Sequence, residues 1–266
     1  MLLLKHSFSS VRKFKRWIAP ILFKLLIGYR QTFGGLFWMY FRPLCFIAII
    51  GILFAGLSSV SLEEFIPHLA VGYIFWTLLG GYLTGSFTVF ERSKPLLFSC
   101  EYSHTDAVLS DHLDLLVKFL HLSILIVAVV LYFKTIDSPY FLMSFLGLFI
   151  VMVTGFFFTI IVGTIGSRFK DLGEFSSAIT RVVFLATPII WIPGGFRSGS
   201  RRRQLVAPFV DYNPFYHYLE LMRAPLLGNE ITTYTWTFVG VSTTVVVLTA
   251  ILMYRRFAHL VVFWIT

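Results

Sequence analysis

Apolar residues in this chain come in long runs set off by charges, without the period-two alternation of a membrane β-barrel strand. There are 20 uncharged residues between Arg42 and Glu63, 26 between Glu64 and Glu91, 30 between Asp137 and Arg168, and 24 between Glu230 and Arg255. Two further runs each hold one cation. Leu115 to Phe133 is 19 residues long with Lys118 inside, and Phe175 to Phe196 is 22 long with Arg181 inside. A helix needs about 20 residues to cross the hydrocarbon core of a bilayer. The pattern predicts an all-α membrane protein with six transmembrane helices.

Six spans put both termini on one side. Lys5, Arg12, Lys13, Lys15, Arg16, Lys24 and Arg30 precede the first run with no acid among them. Arg168 with Lys170, and Arg255 with Arg256, fall on that same side, whereas the first opposite loop carries Glu63 and Glu64 and no base. The excess of cations predicts a cytoplasmic location for both termini. One segment breaks the rule: Arg197, Arg201, Arg202, Arg203 and Arg223 lie between the fifth and sixth runs, on the outer side by count. Ahead of the first span, Phe8, Val11, Phe14, Ile18, Ile21 and Leu25 recur at three- and four-residue spacing among Lys and Arg. This predicts an amphipathic helix in residues 1–32, lying on anionic lipid at the interface and kinked at Pro20, rather than a cleaved leader. A plain positive-inside anchor is the simpler alternative.

Composition agrees with the membrane class. Hydrophobic residues make up 57% of the chain and charged ones 13%, about half the usual share for a soluble domain, and the net charge is +9. A cytosolic enzyme, a disulfide-stapled secreted domain and a disordered linker are excluded on that basis. The charge points to cytoplasmic loops and anionic membrane lipids, with no nucleic acid expected as a partner. Cys45 lies in an apolar run and Cys100 in a polar loop, so no structural disulfide is expected.

The catalogue of chemical motifs is sparse. The sequence has no phosphate-binding G-x-x-x-x-G-K-[ST] loop and no G-x-S-x-G elbow. His217, Glu220 and Asp211 lie close in sequence, but a second histidine is missing for a metal site. No span carries the run of carboxylates or histidines expected of a proton-coupled pump, which places the energy source on another chain. No catalytic, metal-binding or cofactor-binding residue is expected here, and the chain is expected not to be an enzyme.

Several features remain. Pro188, Pro193, Gly194 and Gly195 break the fifth run near its outer end. Beyond the arginines, Asn213 suits an N-cap and Pro214 the first helical position; Phe215, Tyr218, Leu219 and Met222 then share a face until Pro225. This predicts a short amphipathic helix at the outer surface, either an interfacial aromatic anchor or a gate. The connection from Glu91 to Asp114 has mixed charge and is either a partner-docking loop or a solvated turn. Arg181 either faces a polar cavity or snorkels, and snorkelling is preferred for Lys118 and Arg42. Aromatics cluster at Phe33, Phe37, Trp38, Tyr40 and Phe41, and at Tyr73, Phe75, Trp76 and Tyr82; Gly81 and Gly85 form one close-packing G-x-x-x-G.

Three stretches together resemble one family. Tyr29 to Trp38 with Arg42-Pro43-Leu44 resembles the approach to the first span of type-2 ABC exporter permeases. Gly166 to Leu172, followed by Thr187-Pro188-Ile189-Ile190-Trp191, resembles their connection from span four to span five. Asn213-Pro214-Phe215-Tyr216-His217 with Arg223-Ala224-Pro225-Leu226-Leu227-Gly228 is similar to the permeases of O-antigen and capsular polysaccharide exporters.

The resemblance implies a single transmembrane domain over 1–266, with a cytoplasmic coupling loop at 91–114 and an outer gate region at 196–230. Two copies of the chain would pair with two copies of an ATP-binding subunit, which would hold the ATP and magnesium. The cargo would be a lipid-linked polysaccharide, typically on undecaprenyl diphosphate, moved outward across a bacterial inner membrane. Glu91, Arg92, Lys94, Leu96 and Phe98 would couple to the ATPase. Asn213, Pro214, Phe215, Tyr216, Tyr218 and Arg223 would form the outer gate with short helices between spans five and six. Phe37, Trp38 and Tyr40 would line the channel. The charge of Arg181, Arg201, Arg202 and Arg203 suits sugar acids or the lipid diphosphate. Alternatives are a type-2 permease for teichoic acid, capsule, drug or another lipid, and, more remotely, a membrane-embedded glycosyl- or acyltransferase.

Overall fold

A computed structural model describes residues 36–57, 61–98, 102–136, 139–193, 205, 207–208 and 210–265. Among these the chain is helical and forms no strand. The helices are α1 (Leu36–Leu57), α2 (Leu62–Gly85), α3 (Val89–Arg92), α4 (Lys94–Leu97), α5 (His104–Phe133), α6 (Met143–Arg168), α7 (Asp171–Ala186), α8 (Pro214–Arg223) and α9 (Thr233–Trp264). Five helical stretches are long and apolar enough to cross a membrane, one each in α1, Leu62–Arg92, α5, Pro139–Arg168 and α9. The expected interface helix at 1–32 and the arginines at 201–203 lie outside the described residues.

α2 is the hub. In its most apolar window 78% of residues are buried, against 11% in α1 and in α9. Ser61 caps its start by accepting from the Glu64 amide, and Glu63 and Glu64 in its first turn suit the positive end of the helix dipole. Leu69, Ile74 and Leu78 are fully enclosed, so α2 is apolar on every side, as a helix surrounded by other helices must be. α5 packs closely where Gly81 meets Leu115; a Cβ at Gly81 would lie 2.5 Å from a Leu115 methyl. α1, α6 and α7 also lie against α2, and α9 lies along α6.

Several boundaries differ from the expected runs. α5 begins at His104, eleven residues before Leu115, because Ser103 and Asp106 form a reciprocal capping box. Asp114 is therefore in a helix and buried, where it accepts from Lys118 at 2.7 Å one turn on. The Lys118 side chain remains half exposed beside it. α1 begins before Arg42, so that arginine is inside the helix, and α9 continues through Arg255 and Arg256. Finally, Phe175 to Phe196 is not one helix. α7 ends at Ala186, where Thr187 turns extended ahead of Pro188 (φ −88°, ψ 133°). Its 16 residues reach about 24 Å, short of an about 30 Å hydrocarbon core.

Candidate functional site

α8 enters the bundle to about half its depth. Phe215, at its start, approaches Trp76 in mid-α2 (centroids 6.0 Å apart), while Arg223, at its end, reaches His68 near the start of α2. Its ten residues rise about 15 Å, half the thickness of a bilayer core. The expected surface anchor is thus wrapped by α2, α6 and α9: His217, Tyr218, Leu219, Leu221, Met222 and Arg223 are all buried.

The start of such a helix needs internal partners, because apolar surroundings offer its backbone none. Asn213 supplies them. Its Oδ1 accepts from the Phe215 amide at 3.0 Å, and its Nδ2 donates to the Thr187 hydroxyl at 3.0 Å. One side chain therefore caps α8 and ties it to the broken end of α7. Further along, the Ser144 hydroxyl donates to the Met222 carbonyl at 2.7 Å, and Tyr218 shares its hydroxyl with Ser242 and Thr243 of α9. α6 comes close to the α8 backbone at Gly147, where a Cβ would lie 2.6 Å from the Leu221 carbonyl oxygen. After α8 the chain leaves through a tight turn that requires positive φ at Gly228 (+72°), and Thr135 donates to the Leu226 carbonyl.

Arg223 holds the C-terminal end of α8. It is 2% exposed, and its Nη2 and Nε donate to Glu220 at 2.6 and 3.2 Å. Its Nη1 donates to the Pro188 carbonyl at 2.7 Å and to His68 Nε2 at 3.1 Å. Gly72 leaves room for the guanidinium; a Cβ there would come within 3.2 Å of Nη1. One of the five arginines that break the charge rule is therefore a buried, neutralised group rather than a surface cation. Beside it a polar pocket of about 410 Å³ is lined by Glu63, Glu64, His68, Tyr216, Glu220 and Arg223. Burial, and then the Glu220 carboxylate, push the Tyr216 phenol up. Beneath the start of α8 an apolar cavity of about 360 Å³ lies among Leu79, Thr154, Phe215, Tyr218 and Val245.

His217 is engaged by its ring nitrogens, Nδ1 with the Thr235 hydroxyl (3.2 Å) and Nε2 with the Asp211 carbonyl (3.1 Å), and it packs on Phe238. Burial holds its pKa below the ordinary value. Among the described residues no group of three His, Cys, Asp or Glu is placed to hold a metal ion.

At the opposite end of α2, α3 and α4 form a short elbow. Arg92 donates to Asp111 and to the Gly85 carbonyl, each at 2.7 Å, which fixes the elbow against α5. Leu97 is buried as its anchor, while Glu91, Leu96 and Phe98 are exposed and Lys94 lies 5.9 Å from the Phe98 ring.

The residues expected to line a channel do not converge within one chain. Phe37 and Trp38 stand exposed on α1 and cluster with Phe41. Tyr40 turns inward and donates to the His121 carbonyl of α5 at 3.2 Å. Arg181 is exposed on α7. The second aromatic cluster is packing: Tyr73 stacks on Phe46 at 4.3 Å, and Tyr82 bonds His112 at 2.7 Å. His68, Gly72, Ser144 and Thr187 belong to the surroundings of α8, yet no short-range spacing marks them. The hint available was Arg223 itself, a cation in a segment where charge patterning disfavours one. No protein-family profile and no curated protein matches the chain.

Proposed function

We propose that this chain is the permease subunit of a type-2 ABC exporter that moves lipid-linked polysaccharide outward across a bacterial inner membrane. In this reading α7 together with the broken segment that follows it makes the fifth of six spans, α8 is the outer gate and both termini are cytoplasmic. The observation that carries it is α8 itself: a capped half-depth helix held at its outer end by a buried arginine, directly after a span that breaks at a proline. Half-depth helices are tolerated in a membrane where they are buried in protein or line a watery path. A gate at the outer mouth of a conduit satisfies both conditions in turn.

Polar sugar polymers do not cross about 30 Å of hydrocarbon unaided. The cavities beside α8, about 360 and 410 Å³, are far too small to serve as a conduit. A second copy of the chain supplies the missing wall, with the exposed faces of α1 and α7, including Phe37, Trp38 and Arg181, turned towards it. The α3–α4 elbow presents Glu91, Leu96 and Phe98 at the cytoplasmic side as the contact for an ATP-binding subunit. Binding and hydrolysis of ATP take place on that partner.

The test is reconstitution. The chain should copurify with two ATP-binding subunits, whose hydrolysis rises with added glycolipid, and loss of the gene should leave finished polymer inside the cell. A strain that makes no polymer at all would instead indicate a synthase.

A further inference from the structure

His68 and Arg223 meet in a way that only one protonation state allows. A guanidinium has donors and no acceptor. Its Nη1 lies 3.1 Å from His68 Nε2, so that nitrogen must offer a lone pair and the ring must be neutral. The same Nη1 donates to the Pro188 carbonyl at 2.7 Å. The carbonyls of Pro188 and Trp191 also face the imidazole. A proton on Nε2 turns an acceptor into a donor, sets two cations face to face at a buried site, and makes His68 compete with Arg223 for the Pro188 oxygen.

We propose that His68 is a proton-operated release for α8: neutral, it holds Arg223 and the outer end of the helix in place; protonated, it takes the Pro188 carbonyl and drives the guanidinium away. Glu220 is 22% exposed at its side chain, and the polar pocket beyond it is lined by Glu63 and Glu64. The displaced arginine therefore has carboxylates to move to, and the movement carries the end of α8 outward. This device does not depend on the transport reading, since it concerns only how α8 is held.

The other groups around the latch do not respond in the same way. Glu63, Glu64 and Glu220 face the pocket from α2 and α8, and a proton on a carboxylate would add no second cation beside Arg223. Tyr216 stays protonated, since its phenol is pushed up. His217, on the far side of α8, has two partners that can both accept, the Asp211 carbonyl and the Thr235 hydroxyl, so a second proton there breaks no bond. From the segment after α7 the ring meets the main-chain carbonyls of Pro188 and Trp191.

The experiment is hydrogen exchange of the full chain in lipid nanodiscs, read over residues 214–223 and corrected for intrinsic rates, at about pH 7.5 and about pH 5.5. Wild type should lose protection there by about tenfold or more on acidification. His68→Gln, whose amide oxygen accepts from Arg223 without titrating, should keep its protection at both values, and His217→Gln should respond like wild type. An unchanged wild type overturns the proposal, and this arm needs no variant to fold. A response that persists in His68→Gln, or that disappears in His217→Gln, overturns it as well.

Discussion

The guanidinium of Arg223 donates to the carbonyl oxygen of Pro188 across 2.7 Å, joining the end of α8 to the break that follows α7. The proline that stops α7 also leaves its own carbonyl without a helical partner at that point, and Arg223 fills the vacancy. The helix break and the buried charge are thus one arrangement.

Arg223→Met should lower stability by about 2–3 kcal/mol, because it leaves the Pro188 carbonyl and part of the Glu220 carboxylate without donors in a mostly dry site. Glu220 is partly exposed and rehydrates, which limits the loss. The double variant Arg223→Met with Glu220→Gln should recover part of it. Thermal unfolding in a fixed detergent measures both, and equal melting points for single and double variants would show that the unpaired Glu220 carboxylate costs nothing.

Gly147→Val tests the close approach of α6 and α8. Its Cβ meets the Leu221 carbonyl, a main-chain atom that cannot rotate away, so α8 must shift at a cost of about 1–3 kcal/mol. Gly240 of α9, with nothing near its Cβ position, is the matched control. Substituting it with Ala should leave the melting temperature unchanged or slightly raised.

Asn213 separates two roles. Asn213→Ala removes both the cap and the bond to Thr187 and should cost about 1 kcal/mol or more. Asn213→Asp keeps the acceptor for the Phe215 amide but loses the donor to Thr187, so it should fall between Ala and wild type. If Asp and Ala behave alike in thermal unfolding, the tie to α7 rather than the cap is the dominant contribution.

The α3–α4 elbow should matter for partners and not for folding. Leu96→Glu with Phe98→Glu places charge on side chains that are already 39% and 45% exposed. The melting point of the isolated chain should change little, whereas copurification of the ATP-binding subunit and glycolipid-stimulated hydrolysis should drop. Leu97→Glu, at a buried position of the same elbow, should instead lower the yield of folded chain.

Much of the helical layout was legible because span length and charge are local properties. The runs at Glu64–Glu91 and Asp137–Arg168 appear as α2 and α6 nearly as read, and Asn213-Pro214 marks the start of α8. Missed boundaries had local causes as well. The Ser103–Asp106 capping box starts α5 early, but it lies in a polar stretch that a count of apolar residues discards. Thr187-Pro188 stops α7 inside an apolar run that hydropathy alone reads as continuous. The depth of α8 was not legible. Its amphipathic face fits an interface as well as a bundle interior, and what decides between them is contact with His68, Gly147 and Thr243, each more than 65 residues away or on a helix that returns later. Arg223 was noticed as a charge in the wrong place, but its partner His68 lies 155 residues upstream.

The central claim is that α8 must move for cargo to pass. With Cys45 and Cys100 replaced by Ser, cysteines at Ser144 and Met222 offer α6 and α8 to a short, reducible thiol-reactive crosslinker where the two helices meet, the Ser144 hydroxyl lying 2.7 Å from the Met222 carbonyl. If the chain is the proposed permease, the bridged protein, reconstituted in proteoliposomes with the ATP-binding subunit that reading requires, should lose export of lipid-linked polysaccharide and regain it when the bridge is reduced. Full export from quantitatively bridged protein would contradict the account.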